Sequence, residues 1–170
     1  SKNTLAHFMR FFGLNVECVD QLKEEERYIT YKLIPLENKK IGFEVVSAGK
    51  VEIVTPEQVL AFFMKKLKEF YIASGISSNE FVFSVPSYFS NVERQGVYDA
   101  SEIAGIKCIR LINESTAVAL SYGFFRKTDL PDKDPRYVVF LDLGHGKLTI
   151  TFASFLKSKL KIIIHQSDRN

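Results

Sequence analysis

The chain has 170 residues, 46% of them hydrophobic and 25% charged, which are proportions typical of a soluble globular protein. The net charge is only +3 and the basic residues are dispersed among acidic ones, so composition favours neither nucleic acid nor a membrane surface as a partner. No apolar run approaches the roughly 18 residues that a membrane span needs, and no signal-peptide pattern opens the chain. Cys18 and Cys108 lack metal-ligand spacing, which favours reduced thiols in an intracellular protein over a disulfide.

Three short strands are predicted first, at residues 28–34, 41–46 and 51–54. These runs are rich in β-branched and aromatic residues, and turn signals at residues 37–40 and 48–50 separate them. The pattern indicates a three-stranded antiparallel meander.

A helix is predicted directly after the meander. Thr55 is a suitable N-cap, Pro56 fits the first helical position, and Gln58 stands three residues after the cap, as a capping box requires. Apolar residues then recur at helical spacing until Gly75 ends the run. Four aromatic residues of this helix are expected in the core rather than on a stacking platform: Phe62, Phe63, Phe70 and Tyr71.

Strands and helices alternate in the next part of the chain. In order, they are a strand at residues 81–85, a helix from a Ser90 and Glu93 cap to Gly105, a strand at residues 107–112, and a helix from an Asn113 cap to about Gly123. This order predicts an α/β layer.

A charged connection with two prolines follows at residues 126–136 and is expected to be solvated. A continuous apolar strand at residues 137–143 then runs into Gly144-His145-Gly146, and strands at residues 148–156 and 160–165 come next. A strand, a glycine turn beside an acidic residue and a return strand are one way to build a phosphate-binding hairpin.

One segment carries a specific family resemblance. The sequence from Ser84 to Gly123, SVPSYFSNVERQGVYDASEIAGIKCIRLINESTAVALSYG, resembles the motif VPAYFND-Q-R--T-DA--IAGL-V-R-INEPTAAA-AYG of the 70-kDa heat-shock family. A DLG strand turn follows at the expected distance, and NTLAHFMRFFG at Asn3 to Gly13 is similar to the family's NTV-x-x-x-KR-x-x-G segment. The resemblance therefore covers nearly the whole chain.

The resemblance implies an α/β fold that is part of an actin-like (ribonuclease H-like) ATPase domain, with two lobes around a nucleotide cleft. On this basis we expect a small antiparallel meander subdomain of the first lobe at residues 1–54, the α/β core of that lobe with its crossing helix at 55–128, a hinge at 129–136, and the start of the second lobe at 137–170. We also expect the chain to be a fragment, with one phosphate hairpin upstream and the adenosine-binding and substrate-binding parts downstream. ATP binding is therefore expected only of the full-length protein.

Three departures from the family motifs indicate one branch. NEPT is NEST here, with Ser115 at the proline position, and DLGGGT is DLGHGK, with His145 and Lys147 in place of glycine and threonine. The acidic residue two places further on is Thr149. Loss of the proline and a histidine after DLG are features of the 110-kDa heat-shock branch, whose members resemble the chaperone but act mainly as its nucleotide-exchange partners.

Two acidic residues match positions of the family's metal site. The resemblance gives Asp142 the role of holding the water shell of Mg²⁺ near the phosphates, and gives Glu114 a catalytic position near the metal and the attacking water. Without the resemblance, Asp142 is interpreted as a turn cap, and Glu114 as a first-turn residue that the helix dipole favours.

The turn after Asp142 is the expected phosphate-binding segment. Gly144 and Gly146 would let backbone N–H groups approach a phosphate, although an ordinary hairpin turn has the same pattern. His145 is expected to change the shape of the turn or to contact phosphate, rather than to act as a general base. Lys147 either supplies a positive charge to a phosphate or is a solvated turn lysine.

Met9 stands where the aligned family has its catalytic lysine. Methionine has neither a charge nor a hydrogen-bond donor, so it does not stabilise charge on a transferred phosphoryl group. Losing one such preorganised donor typically costs ~3–4 kcal/mol of barrier stabilisation. As a plain core residue, Met9 would fill space beside Phe8, Phe11 and Phe12, while Arg10 matches the family's own arginine.

Pro86 and Arg94 fall at positions that, by resemblance, pass the nucleotide state to the neighbouring domain. The alternatives are an ordinary proline at the end of a strand and an ordinary surface arginine on a helix. The residues themselves leave both interpretations open.

The sequence is therefore interpreted as part of a 110-kDa-type chaperone. Its expected cofactors are ATP and Mg²⁺, with weak or absent hydrolysis. Its expected partners are unfolded client proteins and a 70-kDa heat-shock chaperone, for which it would act as nucleotide-exchange factor and co-chaperone. A cytoplasmic location is favoured because the glutamate of NEST and the histidine of DLGHG resemble the cytosolic members.

Three other functions are considered beside this one. An ordinary ATP-hydrolysing foldase of the 70-kDa branch would have lysine at Met9, proline at Ser115 and GGGT after Leu143. A sugar kinase or other actin-like ATPase does not explain the match from Ser84 to Gly123. A degenerate holding chaperone without nucleotide stays open, and a nucleotide-binding measurement on the full-length protein distinguishes it.

Overall fold

A computed structural model describes residues 3–37 and 39–168. Within these ranges the fold class is α/β, as predicted. The elements are a 3₁₀ helix (Phe8–Phe11), α1 (Val19–Glu26), β1 (Leu33–Pro35), β2 (Ile41–Ser47), β3 (Lys50–Val54), α2 (Pro56–Ala73), β4 (Glu80–Val85), α3 (Asn91–Ile103), β5 (Lys107–Asn113), α4 (Glu114–Phe125), β6 (Arg136–Leu143), β7 (Leu148–Leu156) and β8 (Lys159–Asp168).

The chain divides into two compact units. The first unit comprises the described residues up to Phe81 together with Ser90–Ile109, and the second comprises Val82–Phe89 and the described residues from Arg110 onward. β4 and β5 pair as a two-stranded sheet, and the division passes through both strands. The subdomain and hinge boundaries expected from the family resemblance stay a prediction.

The first unit contains the predicted meander. β1, β2 and β3 form an antiparallel sheet in that order, in which Phe43 lies opposite Leu33 on one side and Val54 on the other. β1 begins at Leu33, later than the predicted strand. Asn38, in the predicted turn between β1 and β2, lies outside the described residues.

The core beside this sheet is a cluster of buried residues, mostly aromatic: Phe11, Tyr31, Ile41 and Phe43. The ring centroids of Phe11 and Tyr31 lie 5.4 and 5.0 Å from that of Phe43, in edge-to-face arrangements that aromatic pairs favour. The Tyr31 hydroxyl donates a hydrogen bond of 2.7 Å to the carbonyl oxygen of Ala6. The polar end of the buried tyrosine is therefore satisfied inside an apolar cluster.

Both predicted capping boxes of the first unit are confirmed. At the start of α2 the Gln58 N–H donates to Thr55 Oγ1 at 3.3 Å, and the Thr55 N–H donates to Gln58 Oε1 at 2.9 Å. At the start of α3 the Ser90 N–H donates to Glu93 Oε2 at 2.7 Å, and the Glu93 N–H donates to Ser90 Oγ at 3.4 Å. These bonds satisfy N–H groups that have no partner within the helix, so local sequence sets where both helices begin.

The prediction that the aromatic residues of α2 belong to the core is wrong for three of the four. Phe62, Phe63 and Phe70 are exposed, Phe62 by 64%. Tyr71 is half-buried, and its ring centroid lies 5.4 Å from that of Phe81.

The buried face of α2 carries smaller or more flexible side chains, namely Leu60, Ala61 and Met64. These positions lie on one side of the helix, and α2 packs within the first unit against α3 and the 3₁₀ helix. Which face of α2 is buried therefore depends on its packing partners and not on which residues are the largest.

The second unit is built on an antiparallel sheet with the strand order β6-β7-β8. β6 and β4 belong to separate sheets. α4 packs against β7 and β8. The core between them consists of buried Ala119, Leu130, Ala153 and Phe155, with the Tyr122 ring centroid 5.0 Å from that of Phe155.

α4 departs from its predicted bounds at both ends. It continues to Phe125, past Gly123, and a Cβ on Gly123 would meet the Phe155 ring at 3.5 Å. This glycine therefore lies against a packed ring instead of ending the helix. Asn113 precedes α4 as predicted, but its side chain accepts no capping hydrogen bond from the helix.

The sequence did not predict the 3₁₀ helix or α1. Neither has a side-chain cap, and α1 buries none of its residues, so the usual signals of a helix start and of an apolar face are missing. Of the helices in the described ranges, none is long and apolar enough to cross a membrane. Cys18 and Cys108 are half-buried, and neither forms a disulfide within the described residues.

The buried hydroxyl of Tyr31 makes the first unit sensitive to alkaline pH. Burial, and secondly the charge of Glu25, raise the pKa of Tyr31 well above its ordinary value. The neutral phenol is therefore favoured in the folded state, while the unfolded tyrosine ionises near pH ~10. This contribution to the free energy of unfolding is complete below about pH 10 and is lost as the pH rises towards the folded pKa.

We predict that Tyr31→Phe removes this alkaline loss of stability and lowers the free energy of unfolding at pH ~7 by about 1 kcal/mol, because the hydrogen bond to Ala6 is lost. Urea unfolding of the wild type and of Tyr31→Phe, between neutral and alkaline pH, measures the difference in their free energies of unfolding. Tyr28→Phe is the matched control, since the Tyr28 side chain is exposed and its variant should keep the wild-type pH dependence. Identical pH profiles for wild type and Tyr31→Phe would contradict the assignment.

Candidate functional site

The candidate site is a cavity of about 470 Å³ in the second unit. Its wall includes Glu114 and Ser115 from the first turn of α4, and Asp142 from the end of β6. β7 contributes Thr149 and Thr151, whose side chains point to the same face of the strand because they are two residues apart. Two carboxylates and several hydroxyl groups therefore line one space.

Strand pairing brings the two ends of the β6–β7 hairpin together. Asp142 lies opposite Thr149, and the Gly144 N–H donates to the carbonyl oxygen of Lys147 at 2.9 Å, which closes the turn. The N–H of Gly144, expected to face a phosphate, is thus used within the hairpin. His145 and Gly146 lie in this turn and are exposed.

An ion pair joins the turn to α4. The ammonium group of Lys147 donates to Glu114 Oε2, and the two side chains are exposed by only 22% and 37%. Lys147 is therefore not the solvated turn lysine of one sequence-based alternative, and its contact with a phosphate stays a prediction. The pair connects residues 33 apart in the chain, so no local pattern could have predicted it.

A second polar contact holds the start of α4. The hydroxyl groups of Ser87 and Ser115 form a hydrogen bond of 2.8 Å, and Ser115 is 7% exposed. A buried hydroxyl without a partner would cost about 1–3 kcal/mol, and this bond avoids that cost. Ser115, at the proline position of the family motif, thus ties the segment after β4 to the helix that carries Glu114.

Sequence reasoning missed Ser87 and Thr151 as residues of this cavity. The alternation Thr149-Ile150-Thr151 could have indicated two hydroxyl groups on one face of a strand. No sequence signal connects Ser87 to the site, because its contact with Ser115 spans 28 residues.

The remaining predicted site residues lie elsewhere. Pro86 is buried in the second unit, and its carbonyl oxygen accepts a hydrogen bond of 3.1 Å from the Phe89 N–H. Arg94 is half-buried on α3 in the first unit. Met9 is half-buried in the 3₁₀ helix of that unit, while neighbouring Arg10 places Nε 2.6 Å from Glu25 Oε2.

The donor set of the cavity fits a hydrated hard cation. Mg²⁺ prefers oxygen ligands, keeps several waters and commonly uses only one or two carboxylates in nucleotide sites. Asp142 and the threonine hydroxyl groups offer such oxygens, whereas within the described ranges no cluster of three or more His, Cys, Asp and Glu forms an all-protein metal cage. The residues therefore suit Mg²⁺ that arrives with phosphate groups better than a tightly held structural metal.

Comparison with known proteins shows the family. Residues 1–170 match the family described as Hsp70 protein. The 97 kDa heat shock protein of Strongylocentrotus purpuratus is 40% identical over 174 residues, covering 99% of this chain and 19% of that protein. Heat shock 70 kDa protein 4 of Rattus norvegicus is 38% identical over 169 residues, covering 96% of this chain and 20% of that protein. A heat shock protein homolog of Saccharomyces cerevisiae is 35% identical over 173 residues, covering 99% of this chain and 24% of that protein.

The chain thus spans between 19% and 24% of the length of these relatives. Their similarity extends over nearly all of this chain, well beyond the segment from Ser84 to Gly123 that carries the sequence motif. The chain therefore belongs to the Hsp70 family, and the similarity to these heat-shock proteins confirms its resemblance to the 110-kDa branch.

Proposed function

We propose that this chain is part of a cytoplasmic molecular chaperone of the 110-kDa type, which binds ATP and Mg²⁺ and acts as nucleotide-exchange factor and co-chaperone for a 70-kDa heat-shock partner. The observation that carries the proposal is the family match over residues 1–170, combined with a cavity in which Glu114 and Asp142 stand together. On this proposal the chain is part of an actin-like ATPase domain with two lobes.

Asp142 is the residue proposed to hold the water shell of Mg²⁺, because its carboxylate is exposed at the end of β6 beside the turn. Bound Mg²⁺ would neutralise phosphate charge. The turn from Gly144 to Lys147 would face the phosphate groups with its exposed His145 and Gly146. Pro86 and Arg94 are proposed to pass the nucleotide state to the neighbouring domain, and each is held in a packed part of its own unit.

Weak hydrolysis is proposed from three residues. Met9 offers no charge where the family has lysine, Lys147 pairs with Glu114 where the family has threonine, and Thr149 replaces an acidic residue. Phosphoryl transfer depends on positioning and on stabilising charge, and each change removes or occupies a group that does so. ATP would then be a structural ligand that stabilises one arrangement of the two lobes.

That arrangement is proposed to bind the nucleotide-binding domain of the 70-kDa partner and open its cleft, while unfolded client proteins bind elsewhere on the full-length protein. Such a role needs nucleotide binding but not turnover. An ATP-hydrolysing foldase would need the catalytic lysine that Met9 replaces, and a degenerate holding chaperone would have no use for ATP.

We predict that the full-length protein with ATP accelerates the release of labelled ADP from its 70-kDa partner, measured by stopped-flow fluorescence. Asp142→Ala should weaken the effect because it weakens the binding of ATP with Mg²⁺. Asp132→Ala is the matched control, since Asp132 is an exposed residue of the same unit that pairs with Lys157 at 2.7 Å. Unchanged ADP release at saturating protein and ATP would rule out nucleotide exchange and leave client holding.

We also predict that the full-length protein hydrolyses ATP close to the uncatalysed rate in single-turnover assays. Met9→Lys alone should recover little, because residues that act as a unit are not additive. The triple variant Met9→Lys, Lys147→Thr and Thr149→Asp restores the family residues and should exceed the single variant. Robust turnover by the wild type would show that the foldase interpretation is the better one.

A further inference from the structure

We propose that Lys147 sets the divalent-cation affinity of the candidate site, because its ammonium group neutralises Glu114 and, among the described residues that line the cavity, leaves Asp142 as the one uncompensated carboxylate. The proposal deepens the proposed function, on which it rests, by naming the residue that controls cation binding at the same site. Lys147 is thus a positioning and charge-setting residue rather than a catalytic one.

The geometry that supports this role is the attachment of Lys147 at both of its ends. Its backbone carbonyl accepts the Gly144 N–H at 2.9 Å, so the closed turn fixes where the side chain starts. Its ammonium group ends on Glu114 Oε2, in the first turn of α4. The lysine therefore spans from the hairpin that carries Asp142 to the helix that carries the second carboxylate.

The charges of the cavity explain how the Lys147–Glu114 ion pair would affect cation binding. Glu114 and Asp142 line the same space, and with both carboxylates unpaired the wall would carry two negative charges. Coulomb attraction of a divalent cation grows with each such charge, and solvent screens it less at half-buried Glu114 than at exposed Asp142. Lys147 removes one of the two charges, so a cation without nucleotide should bind weakly.

Burial separates this pair from an ordinary surface ion pair. The Lys147 and Glu114 side chains are exposed by 22% and 37%, whereas Lys157 and Asp132, which pair at 2.7 Å in the same unit, are exposed by 47% and 70%. Exposed pairs contribute little because water and salt screen them. Removing the charge of Lys157 is therefore a matched control for removing that of Lys147.

The test measures Mn²⁺ binding to the full-length protein without nucleotide, from the electron paramagnetic resonance signal of free Mn²⁺. Lys147→Met and Lys147→Thr should each bind Mn²⁺ about tenfold more tightly than the wild type, since one more carboxylate is uncompensated. Lys147→Arg keeps the charge and should restore weak binding. Lys157→Met should change nothing.

A double variant tests whether the charge of Glu114 causes the tighter binding. Lys147→Met with Glu114→Gln lacks both charges, so its Mn²⁺ affinity should return towards that of the wild type. Because the two substituted side chains are both neutral, this variant can still be measured if the single variants do not fold. The inference is overturned if charge removal at Lys147 leaves Mn²⁺ affinity unchanged, if Lys157→Met raises it equally, or if the double variant loses binding altogether.

ATP binding by the same wild-type protein is measured in parallel by calorimetry. If the wild type binds no ATP, the proposed function fails whatever the Mn²⁺ series shows. If it binds ATP and the Mn²⁺ affinities do not follow the charge at Lys147, only this inference fails.

Discussion

The packing of α4 on the β6–β7–β8 sheet is the constraint on which the candidate site depends. Ala119 and Ala153 are fully buried, and such small side chains let helix and sheet approach closely while the Phe155 ring fills the adjoining space. Burying a side chain of the size of Phe155 contributes about 1.5–3 kcal/mol. The positions of Glu114 and Asp142 therefore follow mainly from apolar packing.

Two polar contacts then stabilise the first turn of α4, which apolar packing has positioned. The Lys147–Glu114 ion pair and the Ser87–Ser115 hydrogen bond both end in the first turn of α4, one from the hairpin and one from the segment after β4. An N-terminal helix turn favours the negative charge of Glu114, and the lysine adds to that effect. The ion pair that stabilises this turn also occupies Glu114, so the Glu114 carboxylate is held in place but is less available to a ligand.

Sequence predicts those features whose causes are local. The two capping boxes and the β6–β7 hairpin depend on residues a few positions apart, and they form as predicted. Phe62 was predicted to be buried but is exposed. Helical spacing predicts that α2 has an apolar face, but it does not predict which neighbours cover that face. The family resemblance named Glu114 and Asp142, yet the partner of Glu114 is 33 residues away and could only come from the folded chain.

Two departures from the family motif, at Ser115 and Lys147, are accommodated by polar contacts of the folded chain. A serine at the proline position would leave a buried hydroxyl unsatisfied, but Ser87 lies within hydrogen-bond distance of Ser115. A lysine in the turn introduces a half-buried charge, but Glu114 pairs with it. An unpaired buried polar group costs about 1–3 kcal/mol of folding free energy, so both pairings stabilise the second unit. The cavity and Asp142 persist while Met9 carries no charge and Glu114 is paired, a combination consistent with the proposed binding without turnover.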